Sequence, residues 1–512
     1  MDKYGILVGG KWEKPESGEY GRAIDPSNGS VVAEFAVAGK EDTGRAVEAG
    51  RRAFEHGEWS RFSYRKRAGV LARAAEIMEE ISEELSELES RNGGKPIRQA
   101  SFFDVPLAIS CIQYYASLGE SADQEGSQFG RRKIEQPDYP GTYGIIDHEP
   151  YGVVGAIVPW NVPLLMAAWK TAPALLAGNS VLLKPSHITP LTALKLGEIF
   201  YRAGLPEGTL SVLPGEGKVV GSELASNRDI DALSFTGSTE TGKEVMRLCS
   251  GNVKKVMLEL GGKSPNIVFE DANLERAVRA AMFAVFLHSG QLCESGTRLL
   301  LSEKVYDKFL ERMEKRAASM RMGPTDDMGT DIGPLISRKQ LDKVKSYIDL
   351  GVSEGARLIQ TGKNDIKGWD PASGYYVRPT LFADVTRDMK ISREEIFGPV
   401  LAVMKFSDEE EAVSMANDTI YGLASAIWSS DTERAFRVGR QIRAGTVWVN
   451  DYHLLTTYAP RGGYKQSGFG RELGEEGFAE YLQTKHYFIN EDGQMEDGAY
   501  DVVNATGNDP EA

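Results

Sequence analysis

The strongest constraint on the fold is a change in sequence texture near residue 151. From there, short apolar runs alternate with stretches of helical spacing such as TALKLGEIFYRAG; the runs are GVVGAIV, SVLLK, LSVL, ALSF and KVMLEL. Continuous apolar strands separated by helices are typical of a parallel sheet covered on both faces. A second series, NIVF, RLLLS, LAVMKF, ASAIWS and TVWVN, predicts another α/β unit that starts near Gly261.

The rest of the chain adds helices and a terminal segment to this picture. With 512 residues the chain is too long for one core, and two or three packed units are expected. Between residues 65 and 90 the apolar positions Ile77, Ile81, Leu85 and Leu88 recur at helical spacing. Residues 498–512 are acidic and poor in apolar side chains, and we expect them to be disordered.

Charge and cysteine content argue against several classes of protein. A net charge of −15 disfavours nucleic acid as a partner, and no apolar stretch is long enough for a membrane span. The start of the chain lacks the pattern of a signal peptide. Three cysteines fit a reducing cytoplasm, and neither these nor the six histidines have metal-ligand spacing. We therefore expect a cytoplasmic protein without a membrane, nucleic-acid or metal partner.

One cysteine, Cys293, lies in the polar turn FLHSGQLCESGTR, between Gly290 and Gly296. Backbone N–H dipoles at such a turn lower the pKa of a thiol from about 8.5 and favour the nucleophilic thiolate. His288, five residues earlier, is the base that spacing alone suggests. An inert buried thiol is the alternative. The glycines are expected to keep the approach to Cys293 open.

Four other segments carry candidate chemistry, each with a simpler structural alternative. Glu259 lies near the end of the apolar run KVMLEL, and it is either a general base with a raised pKa or a solvated carboxylate. Asn161 in VPWNVP is an oxyanion donor or a turn residue. Lys184 stands at a strand end, where α/β sheets bind ligands. Gly237 and Ser238 in FTGSTETG join a strand to a helix and form an anion site, although GxGxxG is absent there.

Seven segments together resemble the aldehyde dehydrogenase superfamily, and they occur in that family's order. They are PWNVP, KPS, FTGSTETG, LELGGKSPNIV, GQLC, EEIFGPV and GGYKQSGFGRELG. The resemblance runs from about Gly9 to about Lys485. Within the family, the text is most similar to betaine-aldehyde and aminoaldehyde dehydrogenases.

The resemblance implies oxidation of an aldehyde to a carboxylate with NAD(P)+. Cys293 would form a thiohemiacetal and then a thioester, with the oxyanion held by the amide of Asn161 and the backbone N–H of Cys293. Glu259 would activate the water that hydrolyses the thioester. His288 falls where the family commonly carries an amide, and it is therefore assigned a structural role.

Two further residues match positions that support proton transfer in several family members. These are Lys170 in AAWK and Glu472 in GRELG, and an ion pair or simple packing explains both equally well. The alternative function is a cysteine-dependent ester hydrolase that uses Cys293 alone. Such an enzyme would not need a dinucleotide site.

The resemblance also implies a binding site for NAD. Its residues would be Ile157, Pro159, Trp160, Lys184, Gly217, Gly237, Ser238, Leu260, Glu395 and Phe397. Many relatives that prefer NAD read KPSE, whereas this chain reads KPSH, with His187 in place of the carboxylate. Loss of that carboxylate removes a penalty against the 2′-phosphate, and we expect NAD use with tolerance of NADP.

Three residues are expected to contact the substrate. Trp169 would form one wall, while Val162 and Arg461 stand where aromatic residues enclose trimethylammonium groups in relatives. An aldehyde that carries a carboxylate or hydroxyls could pair with Arg461. The alternative is that Arg461 points away from the tunnel.

The implied architecture has three parts. A Rossmann-like cofactor-binding domain would use residues 1–127 and 151–260, and an α/β catalytic domain residues 261–476. A small β oligomerisation element would use residues 128–150 and 477–497. Because such strands are unstable alone, they are expected to pair across subunits in a homodimer or homotetramer.

Overall fold

The computed structural model describes residues 2–122, 127–139, 141–362 and 369–491. The strands are β1 (Asp2–Tyr4), β2 (Ile6–Val8), β3 (Lys11–Glu13), β4 (Tyr20–Ile24), β5 (Val31–Ala36), β6 (Arg132–Glu135), β7 (Thr142–Pro150), β8 (Val153–Ile157), β9 (Ser180–Lys184), β10 (Leu210–Val212), β11 (Ala232–Thr236), β12 (Lys255–Glu259), β13 (Pro265–Val268), β14 (Arg298–Ser302), β15 (Arg357–Gln360), β16 (Thr380–Ala383), β17 (Val400–Phe406), β18 (Ala424–Trp428), β19 (Thr446–Val449), β20 (Gly468–Phe469) and β21 (Leu482–Asn490).

The helices lie between these strands. They are α1 (Lys40–His56), α2 (Tyr64–Glu80), α3 (Ser82–Gly93), α4 (Ile97–Gln99), α5 (Val105–Ala122), α6 (Pro163–Ala177), α7 (Leu191–Arg202), α8 (Ser222–Ser226), α9 (Thr239–Cys249), α10 (Leu274–Phe286), α11 (Tyr306–Ala317), α12 (Arg338–Ser353), α13 (Lys390–Arg393), α14 (Glu409–Asn417), α15 (Thr432–Gly439) and α16 (Gly474–Ala479).

The first large sheet has eight strands in the order β20-β12-β11-β8-β9-β10-β2-β3. Its five central strands, from β12 to β10, run parallel, and antiparallel strands close both edges. Strands β8, β9 and β11 are buried along their whole length, as expected for strands covered by helices on both faces. Parallel strands end at a common edge, and that edge is where an α/β sheet binds its ligands.

The second large sheet has seven strands in the order β15-β16-β17-β14-β13-β18-β19, all parallel except for the edge strand β15. Its helices pack on both sides around two apolar clusters that include Phe382, Phe309 and Trp428. This sheet begins just after Gly261, where the sequence predicted a second α/β unit. The predicted α/β fold class is confirmed.

Two three-stranded sheets lie outside the large ones. The first has the order β1-β5-β4, and the second has the order β21-β7-β6 and is antiparallel throughout. The second sheet falls within residues 128–150 and 477–497, the ranges predicted for the oligomerisation element. Its strand β21 is exposed over most of its length, from Gln483 to Tyr487 and beyond.

The helical prediction for residues 65–90 corresponds to α2 and α3, whose apolar faces pack into the core together with α5 and α6. The range 261–476 contributes to both large sheets, because β20 pairs with β12 of the first one. The domain bounds stay a prediction. The expected disorder of 498–512 lies outside the described residues.

Candidate active site

A cavity of about 240 Å³ lies between the two large sheets. Thr236 and Glu259, at the carboxyl ends of β11 and β12, line it from the first sheet, and Thr446 at the start of β19 lines it from the second. It brings together fourteen of the residues that the sequence predicted, from the catalytic, cofactor and substrate sets; eleven of them are Pro159, Trp160, Asn161, Val162, Trp169, Gly237, Ser238, Leu260, Cys293, Glu395 and Phe397. Glu259, Arg461 and Glu472 also line it.

The turn before Cys293 has an unusual backbone, because His288 and Ser289 both adopt left-handed conformations. The side chain of Gln291 fixes this turn: its Nε2 donates to the carbonyl of His288 at 3.2 Å, and its Oε1 accepts from the N–H of Ile336 at 2.9 Å. The hydroxyl of Ser289 donates to the carbonyl of Gly333 at 2.8 Å. The nucleophile turn is therefore held by side chains as well as by its own backbone.

The glycines at the turn have a different role from the one expected. Gly290 is buried with φ +75°, and a Cβ there would lie 2.1 Å from the carbonyl oxygen of Gly398. A Cβ on Gly262 would lie 2.4 Å from the carbonyl oxygen of Cys293, and one on Gly296 would meet the ring of Tyr452 at 2.9 Å. These glycines allow backbone and ring to pack against the turn, and they do not border the approach to the thiol.

The thiol of Cys293 is partly buried, and the sequence-based expectation of a lowered pKa is wrong for it. Burial and, to a smaller extent, the nearby carboxylates of Glu395 and Glu259 raise its pKa to about 12. The cation of Arg461 and the backbone N–H of Cys293 itself act in the opposite direction. Desolvation exceeds the dipole effect that local sequence suggested. The other two cysteines, Cys111 and Cys249, are free and buried in helices.

Helix α6 presents one face to the cavity. Val162 immediately precedes the helix, and Leu165, Met166 and Trp169 follow at three- and four-residue spacing, so that they share this face. Asn161, just before the helix, is 4% exposed, and its amide donates to the carbonyl of Gln291 at 2.8 Å. This bond ties the amide to the nucleophile turn.

A buried charge cluster lies at the end of β12. Burial raises the pKa of Glu259 well above its usual range, the carboxylate of Glu472 raises it further, and the cation of Lys170 opposes both. Lys170 is fully buried, forms an ion pair with Glu472, and donates to the hydroxyl of Ser234 at 2.8 Å. The structure therefore places both predicted proton-transfer residues beside the predicted base.

His288 does not line the cavity that contains Cys293. Burial and the cation of Lys95 hold the pKa of His288 well below its usual value, and the ring is therefore neutral. Its backbone N–H donates to Oε1 of Gln99 at 2.8 Å. These contacts fit the structural role that the sequence assigned to it.

The cofactor residues fall into two groups along the carboxyl edge of the first sheet. In the first group, Ile157 and Lys184 are register partners at the ends of β8 and β9. Burial lowers the pKa of Lys184 to about 8, and its ammonium donates to the carbonyl of Pro185 at 2.7 Å. Gly217 is exposed and begins the short π-helix Gly217–Gly221, directly after Glu216. His187 is 45% exposed, with its Nε2 3.6 Å from a carboxylate oxygen of Glu216.

The second group surrounds the inner part of the cavity. Ser238 caps helix α9 by accepting from the N–H of Thr241 at 3.2 Å, and a Cβ on Gly237 would meet the ring of Phe235 at 2.5 Å. The helix N-terminus therefore faces the cavity behind a residue without a side chain, which suits a pyrophosphate. Trp160 packs edge-on against Phe397 with ring centroids 5.3 Å apart.

Helix α12 holds the segment that contains Glu395 and Phe397. Gln340 donates to the carbonyl of Phe397 at 2.7 Å, and Lys343 donates to the carbonyl of Glu395 at 3.0 Å. Glu395 in turn accepts from the N–H of Gly262 at 3.0 Å, and burial raises its pKa. These residues fit a dinucleotide, since a helix N-terminus, a strand-end lysine and a buried acceptor lie along one edge.

Arg461 lines the cavity, and it is already paired. Its guanidinium forms an ion pair with the carboxylate of Glu294, the residue after Cys293, and lies 5.3 Å from the ring centroid of Trp448. Both backbone bonds between Arg461 and Glu472 measure 2.7 Å. The possibility that Arg461 points out of the tunnel is therefore wrong.

Sequence reasoning missed Glu294, Gln291, Gln340 and Lys343. Glu294 stands beside the predicted nucleophile, and its charge in a glycine-flanked turn was the available signal. The other three act through bonds to distant backbone, for which the sequence carries no local signal. Within the described residues, no group of three or more His, Cys, Asp or Glu side chains could hold a metal ion. In the same part of the chain, no helix has the length and apolarity needed to cross a membrane.

The fold and the site together define a class: two α/β units with a cysteine, an amide and a buried carboxylate in the cavity between them. The model of the aldehyde dehydrogenase family matches residues 12–487, and this chain belongs to that family. The predicted reaction class, an NAD(P)+-dependent aldehyde dehydrogenase, is thereby confirmed.

Several relatives match over nearly their whole length. The chain is 46% identical to the betaine aldehyde dehydrogenase of Bacillus subtilis (strain 168), covering 95% of this chain and 97% of the relative. It is 44% identical to the mitochondrial aldehyde dehydrogenase of Leishmania tarentolae, covering 94% and 93%. A crystal structure of betaine aldehyde dehydrogenase from Staphylococcus aureus, in complex with NAD+, is 40% identical with a TM-score of 0.92, covering 96% of each chain. The predicted similarity to betaine aldehyde dehydrogenases is confirmed.

Proposed function

We propose that this chain oxidises an aldehyde to a carboxylate with NAD(P)+ by way of a covalent adduct on Cys293. One observation carries the proposal: the thiol of Cys293, the amide of Asn161 and the carboxyl of Glu259 line one cavity, although they come from three separate segments. A nucleophile, an oxyanion donor and a base are the groups that acyl chemistry on sulfur requires.

In the first half-reaction the thiolate of Cys293 attacks the carbonyl carbon. A C–S bond forms, and the π electrons of the carbonyl move to its oxygen. The amide of Asn161 has two N–H groups; one donates to Gln291, and the other is available to the oxyanion together with the backbone N–H of Cys293. When the carbonyl re-forms, a hydride leaves the carbon, and a thioester remains on Cys293.

NAD+, when bound, would supply the electrophilic ring that accepts the hydride. Lys184 would hold the adenosine ribose, with Gly237 and Ser238 at the pyrophosphate and Glu395 with Phe397 at the nicotinamide ribose. The remaining predicted residues would line the cleft: Ile157, Pro159, Trp160, Gly217 and Leu260. With His187 in place of a carboxylate, NADP is tolerated, although Glu216 beside His187 limits this tolerance.

In the second half-reaction Glu259 takes a proton from water, and the resulting hydroxide attacks the thioester carbon. The C–S bond breaks, the carboxylate is released, and the thiolate of Cys293 is restored. Because its pKa is raised, Glu259 is a stronger base than an exposed carboxylate. Glu472 and Lys170, beside Glu259, would carry the proton away.

The test is absorbance growth at 340 nm with an aldehyde and NAD(P)+. Cys293→Ala should abolish the signal, and the matched control Cys249→Ala, at a buried thiol outside the cavity, should retain it. Glu259→Gln should give a burst of about one equivalent of NADH per active site followed by slow turnover, because the thioester forms but is not hydrolysed. Full activity of Cys293→Ala would refute the proposal.

For the substrate, two aldehyde classes fit Arg461: semialdehyde acids and hydroxyaldehydes. The relatives named betaine aldehyde dehydrogenases point to a trimethylammonium aldehyde, but in this chain Val162 and Arg461 stand where aromatic residues would enclose that group. Trp169 and Val162 would contact the carbon chain of the substrate.

We also propose that the sheet β21-β7-β6 joins subunits into a homodimer or homotetramer in the cytoplasm. It has two open edges and exposes Tyr139, Tyr487 and Phe488. An open edge with exposed aromatic residues readily pairs with another chain. Light scattering on the purified protein should give at least twice the mass of 56.1 kDa. A monomer would contradict the proposal.

A further inference from the structure

An ion pair in the catalytic cavity stands out because family chemistry does not require it. Glu294 and Arg461 are 13% and 11% exposed at their side chains, and both line the cavity beside Cys293. They lie 167 residues apart in sequence, on the nucleophile turn and on the loop before β20. Each is held in place: the carbonyl of Glu294 accepts from the hydroxyl of Tyr452 at 2.8 Å, and the backbone of Arg461 bonds to Glu472.

Other charged groups that act on Arg461 include the carboxyls of Glu259 and Glu472, but Glu472 is paired with Lys170, and burial raises the pKa of Glu259. His453 Nδ1 lies 3.6 Å from the carboxylate of Glu294, but burial lowers the pKa of His453 to about 4, and its ring is neutral. On the other side, Arg461 lies against the ring of Trp448. At neutral pH the pair therefore has no net charge.

Resting on the proposed function, we infer that the Glu294–Arg461 pair makes this enzyme selective for neutral aldehydes that carry a hydroxyl group on the carbon chain. A substrate carboxylate would be attracted by Arg461 and repelled by Glu294, which is in contact with it. A substrate ammonium would be repelled by Arg461 and attracted by Glu294. In both cases the two interactions largely cancel, while the charged substrate still loses its hydration.

Breaking the pair to release one partner is also unfavourable, since it leaves a poorly solvated charge without its counterion. A hydroxyl avoids both penalties. It accepts from a free N–H of the Arg461 guanidinium and donates to a free lone pair of the Glu294 carboxylate, with both charges still paired. The pair therefore selects against either sign of charge.

The experiment compares kcat/KM for three aldehydes of four-carbon backbone with NAD+: 3-hydroxybutanal, 4-oxobutanoate and 4-trimethylammoniobutanal. The wild-type enzyme should prefer 3-hydroxybutanal to each charged aldehyde by about tenfold or more, the discrimination that one hydrogen bond to a charged group provides. A tenfold preference for either charged aldehyde would overturn the inference without any variant. Absence of NADH formation with every aldehyde tried would instead refute the proposed function.

Two variants that each remove one charge should shift the preference in opposite directions. Glu294→Gln unpairs Arg461 and should raise the ratio of 4-oxobutanoate to 3-hydroxybutanal by about tenfold. Arg461→Gln unpairs Glu294 and should raise the ratio for 4-trimethylammoniobutanal by a similar factor. Ratios are used because a change in the reactivity of Cys293 affects all three aldehydes alike.

The double variant, Glu294→Gln with Arg461→Gln, restores neutrality and should return both ratios to within about threefold of wild type. If a single variant does not fold, the double variant still tests the inference, because both charges are removed together. The matched control is Glu207→Gln in the exposed pair with Lys11, 2.9 Å apart and far along the sequence from the site, which should leave every ratio unchanged. Unchanged ratios in a folded Glu294→Gln or Arg461→Gln variant, or a charged preference in the double variant, would overturn the inference.

Discussion

The buried pair of Lys170 and Glu472 gives the sharpest prediction about stability. Both side chains are out of solvent, at 0% and 7% exposure, and the ammonium of Lys170 also donates to Ser234. Lys170→Met keeps the length of the side chain but removes its charge. The carboxylate of Glu472 is then left in the core without a cation, next to the carboxyl of Glu259. Removal of one partner of a buried pair costs about 3–5 kcal/mol of folding free energy.

For a unit of this size each kcal/mol lowers Tm by about 2–4 °C, and we expect Lys170→Met to lower Tm by roughly 6–20 °C. Scanning calorimetry or tryptophan fluorescence measures this at matched scan rates. The control is Lys11→Met, which breaks the exposed pair with Glu207; its partners are 66% and 74% exposed, and the loss should be under about 1 kcal/mol.

The double variant, Lys170→Met with Glu472→Gln, separates a charge effect from a packing effect. Because neither charge is left unpaired, it should recover more than half of the loss caused by Lys170→Met alone. If Lys170→Met is no less stable than Lys11→Met, or if the double variant is as unstable as the single one, the reasoning from an unpaired buried charge is wrong.

Three further predictions concern the chemistry. Since the raised pKa of Glu259 keeps its carboxyl protonated at low pH, kcat should rise with pH. Glu472→Gln removes a neighbouring negative charge and lowers the pKa of Glu259, so the rise in a profile of kcat against pH should move to lower pH. A shift to higher pH would contradict this prediction. Glu216→Gln should raise the NADP-to-NAD ratio of kcat/KM by about tenfold, because a carboxylate near the 2′-phosphate is removed, and an unchanged ratio would exclude this role. Alkylation of Cys293 by iodoacetamide at fixed pH should be slower in Arg461→Gln, because the cation of Arg461 lowers the pKa of the thiol. It should be faster in Glu395→Gln, because the carboxylate of Glu395 raises that pKa. A rate that changes in the same direction in both variants would refute these two electrostatic roles.

Much of the site could be predicted because the ends of strands can be recognised in the sequence. Lys184 and Glu259 each end an apolar run, and the structure places both at the carboxyl ends of parallel strands in one sheet. Parallel strands bring their ends to a common edge, and side chains from distant segments therefore meet there. Likewise Ser238, placed between a strand and a helix by its sequence context, caps the helix.

Contacts between loops could not be predicted in the same way. The pairing of Glu294 with Arg461 depends on how the nucleophile turn faces the loop before β20, and neither loop has a periodicity that records the orientation of the other. From the sequence, Arg461 was a free cation available to a substrate carboxylate. With its partner known, the same residue is half of a neutral pair, and the substrate expected for it changes.

The thiol of Cys293 shows why local sequence can predict a pKa shift in the wrong direction. The sequence shows a turn with glycines on both sides, where backbone N–H groups are available and a thiolate is favoured. In the folded chain, the lack of a Cβ at Gly290 lets the turn approach Gly398, and the lack of one at Gly262 lets the carbonyl of Cys293 lie close to the loop between β12 and β13. The thiol loses water there and gains Glu395 and Glu259 as neighbours. Gly290, one of the two glycines that marked the turn as reactive, is therefore also one of those that allow its burial. The cation of Arg461 opposes this rise in the pKa of the thiol, which links the reactivity of the nucleophile to the pair that selects the substrate.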